Sequence, residues 1–277
     1  MKKLRKKIKK VKLSMTLLVN TAKVTSIVLL MANLITGGIH HRSEVKQEIK
    51  NKRRLADIVS GSHSDSPIFS INGFLKGKMR QMGSGFMVML MDKETRMGYS
   101  VLITNRHVCG ALTNYTIMIS NAHTGGGLMP VLAVPLNKVI SKKSDICMLS
   151  NWYTPHTKNN VLQTLPVDHL TISIEQPSTL DDLVSIGYVS PIRRLVLHGK
   201  MNGMNYEVEE LGKPRSALIY TSMTVRHGMS GGPMIDYKGE VVGINTLAID
   251  RPSVGSLMTT TIALKVFIKE NNLKEVR

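Results

Sequence analysis

Gly228–Pro233 (GMSGGP) is the stretch of this 277-residue chain that constrains its fold most strongly. Glycine makes up about 7% of an average protein, so such a run should arise by chance in roughly one chain in several thousand. A nucleophilic serine must project from a tight turn, and glycines allow both the turn and the close approach of a substrate. The run therefore predicts that Ser230 lies in a tight turn and makes it a candidate nucleophile.

Two further motifs supply the groups that a reactive serine requires. Serine alone is a weak nucleophile and needs a base, and Thr104–Val108 (TNRHV) places His107 just after an apolar strand. Ser144–Leu149 (SDICML) places Asp145 at the head of another apolar run, where its carboxylate is available to orient an imidazole. Each residue alone is usually structural, whereas the three together in this order favour catalysis.

The motifs of the chain resemble those of trypsin-like (chymotrypsin-fold) serine proteases, especially the bacterial HtrA-type and viral members. They occur in the expected order over about residues 66–270: GSGF (Gly83–Phe86), TNRHV, SDICML, GMSGGP and VVGIN (Val241–Asn245). The resemblance implies an all-β fold of two six-stranded antiparallel β-barrels, with the active site in the cleft between them.

The resemblance also implies a role for each catalytic candidate. Ser230 would be the nucleophile that forms an acyl-enzyme, His107 the general base and then acid, and Asp145 the residue that fixes the imidazole tautomer. The backbone N–H groups of Gly228 and Ser230 would form the oxyanion hole. The implied function is that of a serine endopeptidase acting on a protein or peptide, with no cofactor and no metal.

Substrate-binding positions follow from the same resemblance. Thr246, Leu247 and Ala248 would form an edge strand that pairs with an extended peptide. Thr224 would lie at the base of the primary specificity pocket, with Asn245, Val225 and Ala248 as wall positions. Because Thr224 is not acidic, we expect a small, apolar or uncharged polar substrate side chain rather than Lys or Arg. His227 is expected at the rim.

Two departures from the family pattern stand out. Met229 replaces the Asp that is usual in zymogen-activated relatives, so activation by a new N-terminus is not expected. Cys109 and Cys147 match no disulfide of the digestive members, and we predict two buried thiols on neighbouring strands, with one bridge as the alternative. We expect no PDZ-like domain after the motifs, and therefore not a full HtrA architecture.

The N-terminal segment carries most of the excess charge. Residues 1–60 hold 15 basic and 3 acidic side chains, out of 37 basic and 19 acidic in the whole chain. The first twelve residues hold eight basic side chains and precede a mostly apolar stretch, residues 13–39, in the order typical of a signal anchor. However, Lys23 interrupts the stretch, and the uncharged part, residues 24–39, is shorter than the ~20 residues needed to span a bilayer.

Three interpretations of residues 13–39 remain open: a membrane anchor or uncleaved signal, an amphipathic segment on anionic lipid, and a solvated arm with a packed helix. The first two predict membrane association and a membrane-associated or exported protein. Nucleic-acid binding is disfavoured, because residues 1–60 contain no aromatic side chain to stack on bases.

Short alternating runs separated by Gly, Pro, Asn or Asp clusters fill the rest of the chain, as expected for sandwiches or barrels. We predict a basic and partly apolar extension over residues 1–60, an N-terminal barrel over 61–160, and a C-terminal barrel plus a helix over 161–277. The predicted strands are Ile68–Leu75, Phe86–Met91, Ser100–Thr104, Tyr115–Ser120, Met129–Val134, Asp145–Leu149, Leu183–Val189, Arg194–His198, Tyr206–Glu210, Ala217–Met223, Pro233–Asp236, Glu240–Leu247 and Ser256–Ile262. The C-terminal helix is predicted over Leu264–Val276.

Two classes of function fit these observations. The first is a serine endopeptidase that processes a viral polyprotein or acts in protein quality control. The second is a catalytically silent protease-fold scaffold that its basic tail recruits to membrane or nucleic acid.

Overall fold

The computed structural model describes residues 43–60, 66–75, 78–111, 116–120, 132–133, 137–150, 168–190, 193–206, 218–248 and 255–276. The segment that we predict to associate with membranes, residues 13–39, lies outside the described residues. So do most of the predicted strand Met129–Val134 and residues 207–210 of the predicted strand Tyr206–Glu210. Within the described part of the chain, no helix is both long enough and apolar enough to cross a membrane.

The first half of the chain folds into one antiparallel sheet whose strands run in the order β5-β4-β1-β2-β3-β7-β6. A last strand from the C-terminus, β15, pairs with β2 and extends this sheet to eight strands. The strands are β1 (Ile68–Leu75), β2 (Lys78–Asp92), β3 (Gly98–Thr104), β4 (Thr116–Ser120), β5 (Leu132–Ala133), β6 (Asn137–Ile140), β7 (Cys147–Ser150) and β15 (Leu273–Glu275).

The second half forms a closed barrel. Its sheet runs in the order β12-β9-β10-β11-β14-β13-β8, and the additional pairing of β12 with β13 closes six of these strands into a ring. The strands are β8 (Thr171–Ile172), β9 (Asp182–Ser190), β10 (Arg193–Tyr206), β11 (Leu218–Thr221), β12 (Pro233–Ile235), β13 (Glu240–Ala248) and β14 (Ser256–Thr260). The two-sheet, all-β architecture confirms the predicted fold class, although the first sheet has eight strands rather than six.

Three helices accompany the sheets among the described residues: α1 (residues 43–60), α2 (Arg106–Ala111) and α3 (Thr261–Glu270). The prediction of a helix over Leu264–Val276 is wrong at both ends. Helix α3 begins earlier because the side chain of Thr260 accepts a hydrogen bond from the backbone N–H of Ala263, which caps the N-terminus. It ends at Glu270 because the chain turns at Asn272 (φ 59°) and buries Leu273 in β15.

Strand boundaries differ from the prediction where glycines lie inside strands. Arg194–His198 and the start of Tyr206–Glu210 were expected as separate strands, but Arg193–Tyr206 is the single strand β10. A Cβ at Gly199 in that strand would lie 2.4 Å from the Met223 side chain, so this glycine permits close packing rather than ending the strand. The sequence pattern also missed β6, β8 and β15, which have two to four residues each.

Both sheets share one apolar core. It joins Phe86 and Val101 of the first sheet to Ile186 and Ile244 of the second, all fully buried. Because side chains from the two sheets pack together in this core, residues at the sheet junction are held in fixed positions.

The chain divides into two compact units, residues 1–50 and 51–277. The second unit begins inside α1, ten residues before the barrel boundary expected at residue 61. Ile58 is 9% exposed and belongs to the shared core, with Leu55 and Val59 packed against it. The Arg54 guanidinium also donates a 2.7 Å hydrogen bond to the Thr171 hydroxyl. The end of α1 is therefore part of the β-sheet unit.

Candidate active site

The Ser230 turn has the tight geometry that its glycines predict. Gly228 and Gly231 have φ values of 91° and 88°, which L-residues rarely adopt. The N–H of Met229 donates to the carbonyl of Arg226, and the N–H of Gly232 donates to the carbonyl of Met229, both at 3.0 Å. Ser230 is half-buried at the tip of this turn.

Glycine is also required because the turn packs against the first sheet. A Cβ on Gly231 would lie 2.1 Å from the hydroxyl oxygen of Thr104 and 2.2 Å from the carbonyl oxygen of Ser84. Thr104 ends β3, three residues before His107. The turn that carries Ser230 therefore lies against the strand end that leads to the histidine.

His107 and Asp145 form a two-point contact. His107 is the second residue of α2, and its backbone N–H donates to Asp145 Oδ1 at 3.0 Å. Its ring Nδ1 lies 2.7 Å from Asp145 Oδ2. Asp145 is 4% exposed, whereas the side chain of His107 is 35% exposed. A neutral imidazole that donates from Nδ1 to this carboxylate presents an unprotonated Nε2 as a base.

The hydroxyl of Ser230 donates to the carbonyl oxygen of Thr246, 3.4 Å away. Among the hydrogen bonds of the described residues, this one takes the place of the hydroxyl–imidazole bond that an assembled triad contains. Asn105 links the two neighbourhoods, because its Nδ2 donates to the carbonyl of Asp145 at 2.9 Å and to the hydroxyl of Thr246 at 3.4 Å.

The predicted pocket residues occupy different environments. Thr224 is exposed and Val225 is 4% exposed. Asn245 is fully buried, and its amide is bonded inside the barrel: Oδ1 accepts from the Ser185 hydroxyl at 2.8 Å and Nδ2 donates to the Ile186 carbonyl at 3.2 Å. These bonds hold β13 to β9, so we assign the Asn245 side chain to the barrel interior rather than to substrate.

The predicted substrate-pairing strand is the C-terminal part of β13. Leu247 and Ala248 pair with Leu257 and Ser256 of β14 on one side. On the other side, the pairing of β12 with β13 ends at Ile244. The Thr246 side chain is buried and bonded to Thr259, which leaves its backbone as the part that can meet an extended peptide.

Two other predicted positions lie beside the turn. His227 is exposed, in keeping with a rim position. Met229 is fully buried, and a Cβ on Gly187 of β9 would lie 2.9 Å from the Met229 Cα. A methionine at this position packs in the core without a counter-charge, which a carboxylate would require there.

The prediction of two buried thiols is wrong. Cys109 and Cys147 form a disulfide, and Cys109 lies in α2 rather than on a strand. The N-terminus of β7 runs past α2, because the Asp145 carboxylate is bound to the start of that helix. This contact brings the two Cα atoms within 6.4 Å, which is bridging distance.

Sequence reasoning missed two residues at this site, Asn105 and Ser84. Both lie inside motifs that served only as family markers, TNRHV and GSGF. The sequence signal that could have identified them is a polar residue within an otherwise apolar or glycine-rich motif. Such a residue is expected to be buried and to need a hydrogen-bond partner.

Taken together, two β-sheets that share a core, a serine turn packed against the end of β3 and a His–Asp pair define a protein of the chymotrypsin-like fold class. The chain belongs to the family described as "Trypsin-like peptidase domain", whose profile matches residues 83–244, more than half of the chain.

Individual relatives agree with this family. Serine protease HTRA4 of Mus musculus is 28% identical over 174 residues, which cover 60% of this chain and 30% of that protein. Serine endoprotease DegS of Salmonella typhimurium is 25% identical over 183 residues, covering 64% and 43%. The chain thus spans less than half the length of either relative.

Solved structures support the fold. The Rv3671c protease from M. tuberculosis in its active form matches with a TM-score of 0.52 and 16% identity, over 80% of this chain and 87% of that one. The HtrA-type protease AlgW matches with a TM-score of 0.51 and 18% identity, over 76% and 62%.

Proposed function

We propose that the protein is a serine endopeptidase in which Ser230 is the nucleophile, His107 the general base and Asp145 the orienting carboxylate. The observation that carries the proposal is the two-point contact between His107 and Asp145. It fixes both the position of the helix start and the tautomer of the ring, beside a turn whose glycines present a serine. Family membership and the serine protease names of the relatives support the same chemistry.

The reaction follows from these groups. The Ser230 Oγ attacks the carbonyl carbon of a peptide bond while His107 Nε2 takes the hydroxyl proton. The carbonyl π pair moves onto oxygen, and the N–H groups of Gly228 and Ser230 stabilise that oxyanion. Collapse expels the amine, which receives the proton from His107, and leaves an acyl-enzyme. Water, deprotonated by His107, then hydrolyses the ester and restores Ser230.

Substrate binding prepares the nucleophile in this scheme. The Thr246 carbonyl accepts from the Ser230 hydroxyl at 3.4 Å. An extended peptide that pairs with residues 246–248 offers a backbone N–H to the same carbonyl. The Ser230 hydroxyl then loses this acceptor and becomes available to the imidazole, by a rotamer change that staggered side chains make readily.

We propose a protein or peptide substrate with a small, apolar or uncharged polar side chain in the primary pocket. Thr224 and Val225 are the positions that support it, since neither carries a charge to hold Lys, Arg, Asp or Glu. Cleavage of a randomised peptide library tests this preference. Dominant cleavage after a charged residue would contradict it.

Covalent labelling by a fluorophosphonate tests the nucleophile. We expect wild-type protein to label and Ser230→Ala to remain unlabelled, with His107→Ala reduced by about 10⁴-fold in turnover. Ser222→Ala is a suitable control, because that hydroxyl accepts from the Lys200 N–H and lies outside the turn. Equal labelling of wild type and Ser230→Ala would refute the assignment of Ser230.

One observation favours a second candidate, a catalytically silent scaffold. The Ser230 hydroxyl is bonded to Thr246 rather than to the imidazole, as expected of a fold kept only for binding. The scaffold predicts no fluorophosphonate labelling of the wild type and no cleavage in a broad peptide library, whereas the endopeptidase predicts both.

We also propose that the sheet unit works outside the reducing cytosol. The Cys109–Cys147 disulfide supports this, because such bonds persist in oxidising compartments. A relative from Buchnera aphidicola is named a probable periplasmic serine endoprotease.

Membrane association through residues 13–39 is the accompanying proposal. It is tested by whether the full chain sediments with membranes and whether removal of residues 1–42 releases the protein.

A further inference from the structure

Ser84 of β2 makes four hydrogen bonds at the junction of the two sheets. Its backbone N–H donates to the carbonyl of Ser230, and its hydroxyl donates to the carbonyl of Gly228, each at 2.7 Å. The same hydroxyl accepts from the backbone N–H of Tyr188 at 2.8 Å, and the carbonyl of Ser84 accepts from the Thr104 hydroxyl at 2.7 Å. The residue is fully buried.

These bonds hold the Ser230 turn from one side. The carbonyls of Gly228 and Ser230 both accept hydrogen bonds from Ser84, one from its hydroxyl and one from its backbone N–H. The Gly228 carbonyl shares its planar peptide unit with the N–H of Met229, which donates to the Arg226 carbonyl. This unit lies between the two peptides that carry the Gly228 and Ser230 N–H groups, so fixing it limits the rotation of both. The turn is held to the first sheet by residue 84 at two points.

Gly228 requires such an external contact because it lacks a side chain. At a φ of 91° a glycine has several accessible conformations of similar energy, and its neighbouring peptides rotate unless they are bonded. The backbone bond from Ser84 to Ser230 holds one end of the turn, and the Ser84 hydroxyl holds the Gly228 carbonyl at the other.

We propose that Ser84 is a positioning residue for peptide hydrolysis: its hydroxyl fixes the Gly228 carbonyl and so pre-forms the oxyanion-binding conformation of the Ser230 turn. The inference rests on the proposed function, since it assumes that the turn binds an oxyanion. Ser84 lies in β2 of the first sheet, whereas the Ser230 turn leads into β12 of the second sheet, so the two sheets together would shape the oxyanion site.

The test compares Ser84→Ala with Ser70→Ala. Ser70 is the cross-strand partner of Ser84 in β1 and is equally buried, but its hydroxyl donates to Asn72 at 3.3 Å and not to the turn. Displacing a catalytic group by about 1 Å costs on the order of 100-fold in rate. We therefore expect Ser84→Ala to lower kcat by about 30- to 100-fold with KM changed little, and Ser70→Ala to lower kcat by less than about 3-fold.

A peptide aldehyde supplies a readout that general loosening of the fold would not move. It forms a tetrahedral adduct whose oxygen needs the oxyanion site, whereas the corresponding peptide alcohol, which has no carbonyl carbon for Ser230 to attack, needs only the binding groove. We expect Ser84→Ala to weaken aldehyde binding by the same factor as kcat, with alcohol binding unchanged. Equal weakening of both ligands would overturn the positioning role.

Folding is monitored by circular dichroism and thermal unfolding. If Ser84→Ala does not fold, Ser84→Cys replaces it, because a thiol is similar in size but a weaker donor, and an intermediate loss of kcat is expected. If wild type labels with fluorophosphonate and Ser84→Ala, or Ser84→Cys in its place, matches Ser70→Ala in kcat, the role of Ser84 is refuted while the endopeptidase stands. If wild type does not label, the proposed function itself fails.

Discussion

At the scale of single residues, the site depends on backbone shapes that only glycine provides. Gly231 combines a positive φ with a neighbouring side chain and carbonyl so close that a Cβ would overlap both. The consequence is that the backbone of the Ser230 turn packs directly against Thr104 at the end of β3 and against the Ser84 carbonyl, with no room for a side chain on residue 231.

Replacing Gly231 with Ala tests this close approach. A left-handed conformation costs an L-residue about 1–2 kcal/mol, and the clash with Thr104 adds to it, so we expect a loss of at least ~2 kcal/mol in the free energy of unfolding. Gly110→Ala is the matched control, because a Cβ there meets no atom within 4 Å. In helix α2 that change should stabilise by about 0.5–1 kcal/mol. Chemical denaturation measures both, and similar values for the two variants would contradict the close-approach argument.

His169 predicts a pH dependence of stability. It is half-buried, its Nε2 lies 2.8 Å from the Ser100 hydroxyl, and burial lowers the pKa of its imidazole, an effect that Asp168 partly opposes. The folded state therefore favours the neutral ring and binds fewer protons than the unfolded state. The stabilisation is complete above the unfolded pKa of about 6.5 and is lost as the pH falls towards the lower folded pKa.

We expect wild type to lose stability as the pH falls below about 6.5, and His169→Gln to lose less over the same range. Gln keeps a polar group near Ser100 but does not titrate, so the difference between the two slopes isolates His169. Denaturant unfolding at several pH values measures it. Parallel slopes for the two proteins would show that the ring does not contribute.

The sequence was informative where chemistry is local and uninformative where it depends on contacts distant in the chain. Short motifs with their own composition single out His107, Asp145 and Ser230 as candidates, and the structure pairs the first two directly. The bond from Ser84 to Gly228 spans 144 positions, and nothing near either residue signals the other. Asn245 was expected at substrate because its position resembles a pocket wall, but its amide is bonded inside the barrel.

At the scale of secondary structure, the disulfide joins the two elements that carry His107 and Asp145. Cys109 lies two residues after the histidine in α2, and Cys147 lies two residues after the aspartate at the start of β7. The covalent bond thus holds together the same elements as the His107–Asp145 hydrogen bonds. Short strands such as β8 could not be predicted from the sequence, because two residues are too few to show a periodic pattern of apolar side chains.

Removing the disulfide should reduce stability more than it changes the fold. Closing a loop with a sequence separation of 38 stabilises by about 3–4 kcal/mol through the entropy of the unfolded chain. We expect the free energy of unfolding of the double variant Cys109→Ser/Cys147→Ser to be lower by that amount, so that it unfolds at a lower denaturant concentration. Wild-type protein that is treated with reductant while unfolded should have the same free energy of unfolding as the double variant. An oxidised protein no more stable than the double variant would contradict this expectation.

At the scale of the whole molecule, the β-sheet unit is completed by chain ends that lie outside the family motifs. β15 pairs with β2 of the first sheet, and α3 packs on β13 and β14 of the second. At the other end, Leu55 and Val59 of α1 pack against the shared core that contains Ile58. Segments from both ends therefore cover the core that the two sheets share, and the unit is larger than residues 83–244.

The packing of α1 on the shared core predicts that mutations in its last turns reduce stability. Ile58→Ala should cost about 2–3 kcal/mol in the free energy of unfolding, because it removes most of a buried side chain from the core. Arg54→Ala should cost about 1 kcal/mol through loss of the bond to Thr171, whereas Arg53→Ala, whose side chain is exposed, should stay within about 0.5 kcal/mol.

Truncation extends the same argument to the domain boundary. A chain that starts at Asn51 keeps Arg54, Leu55, Ile58 and Val59, so we expect it to unfold at the same denaturant concentration as the full chain. A chain that starts at residue 61 exposes the apolar surface that these residues cover and should be less stable by at least the cost of Ile58→Ala. Equal stability of the two truncated proteins would show that α1 only rests on the sheets, and the boundary expected from the sequence would then describe the folding unit better than residue 51 does.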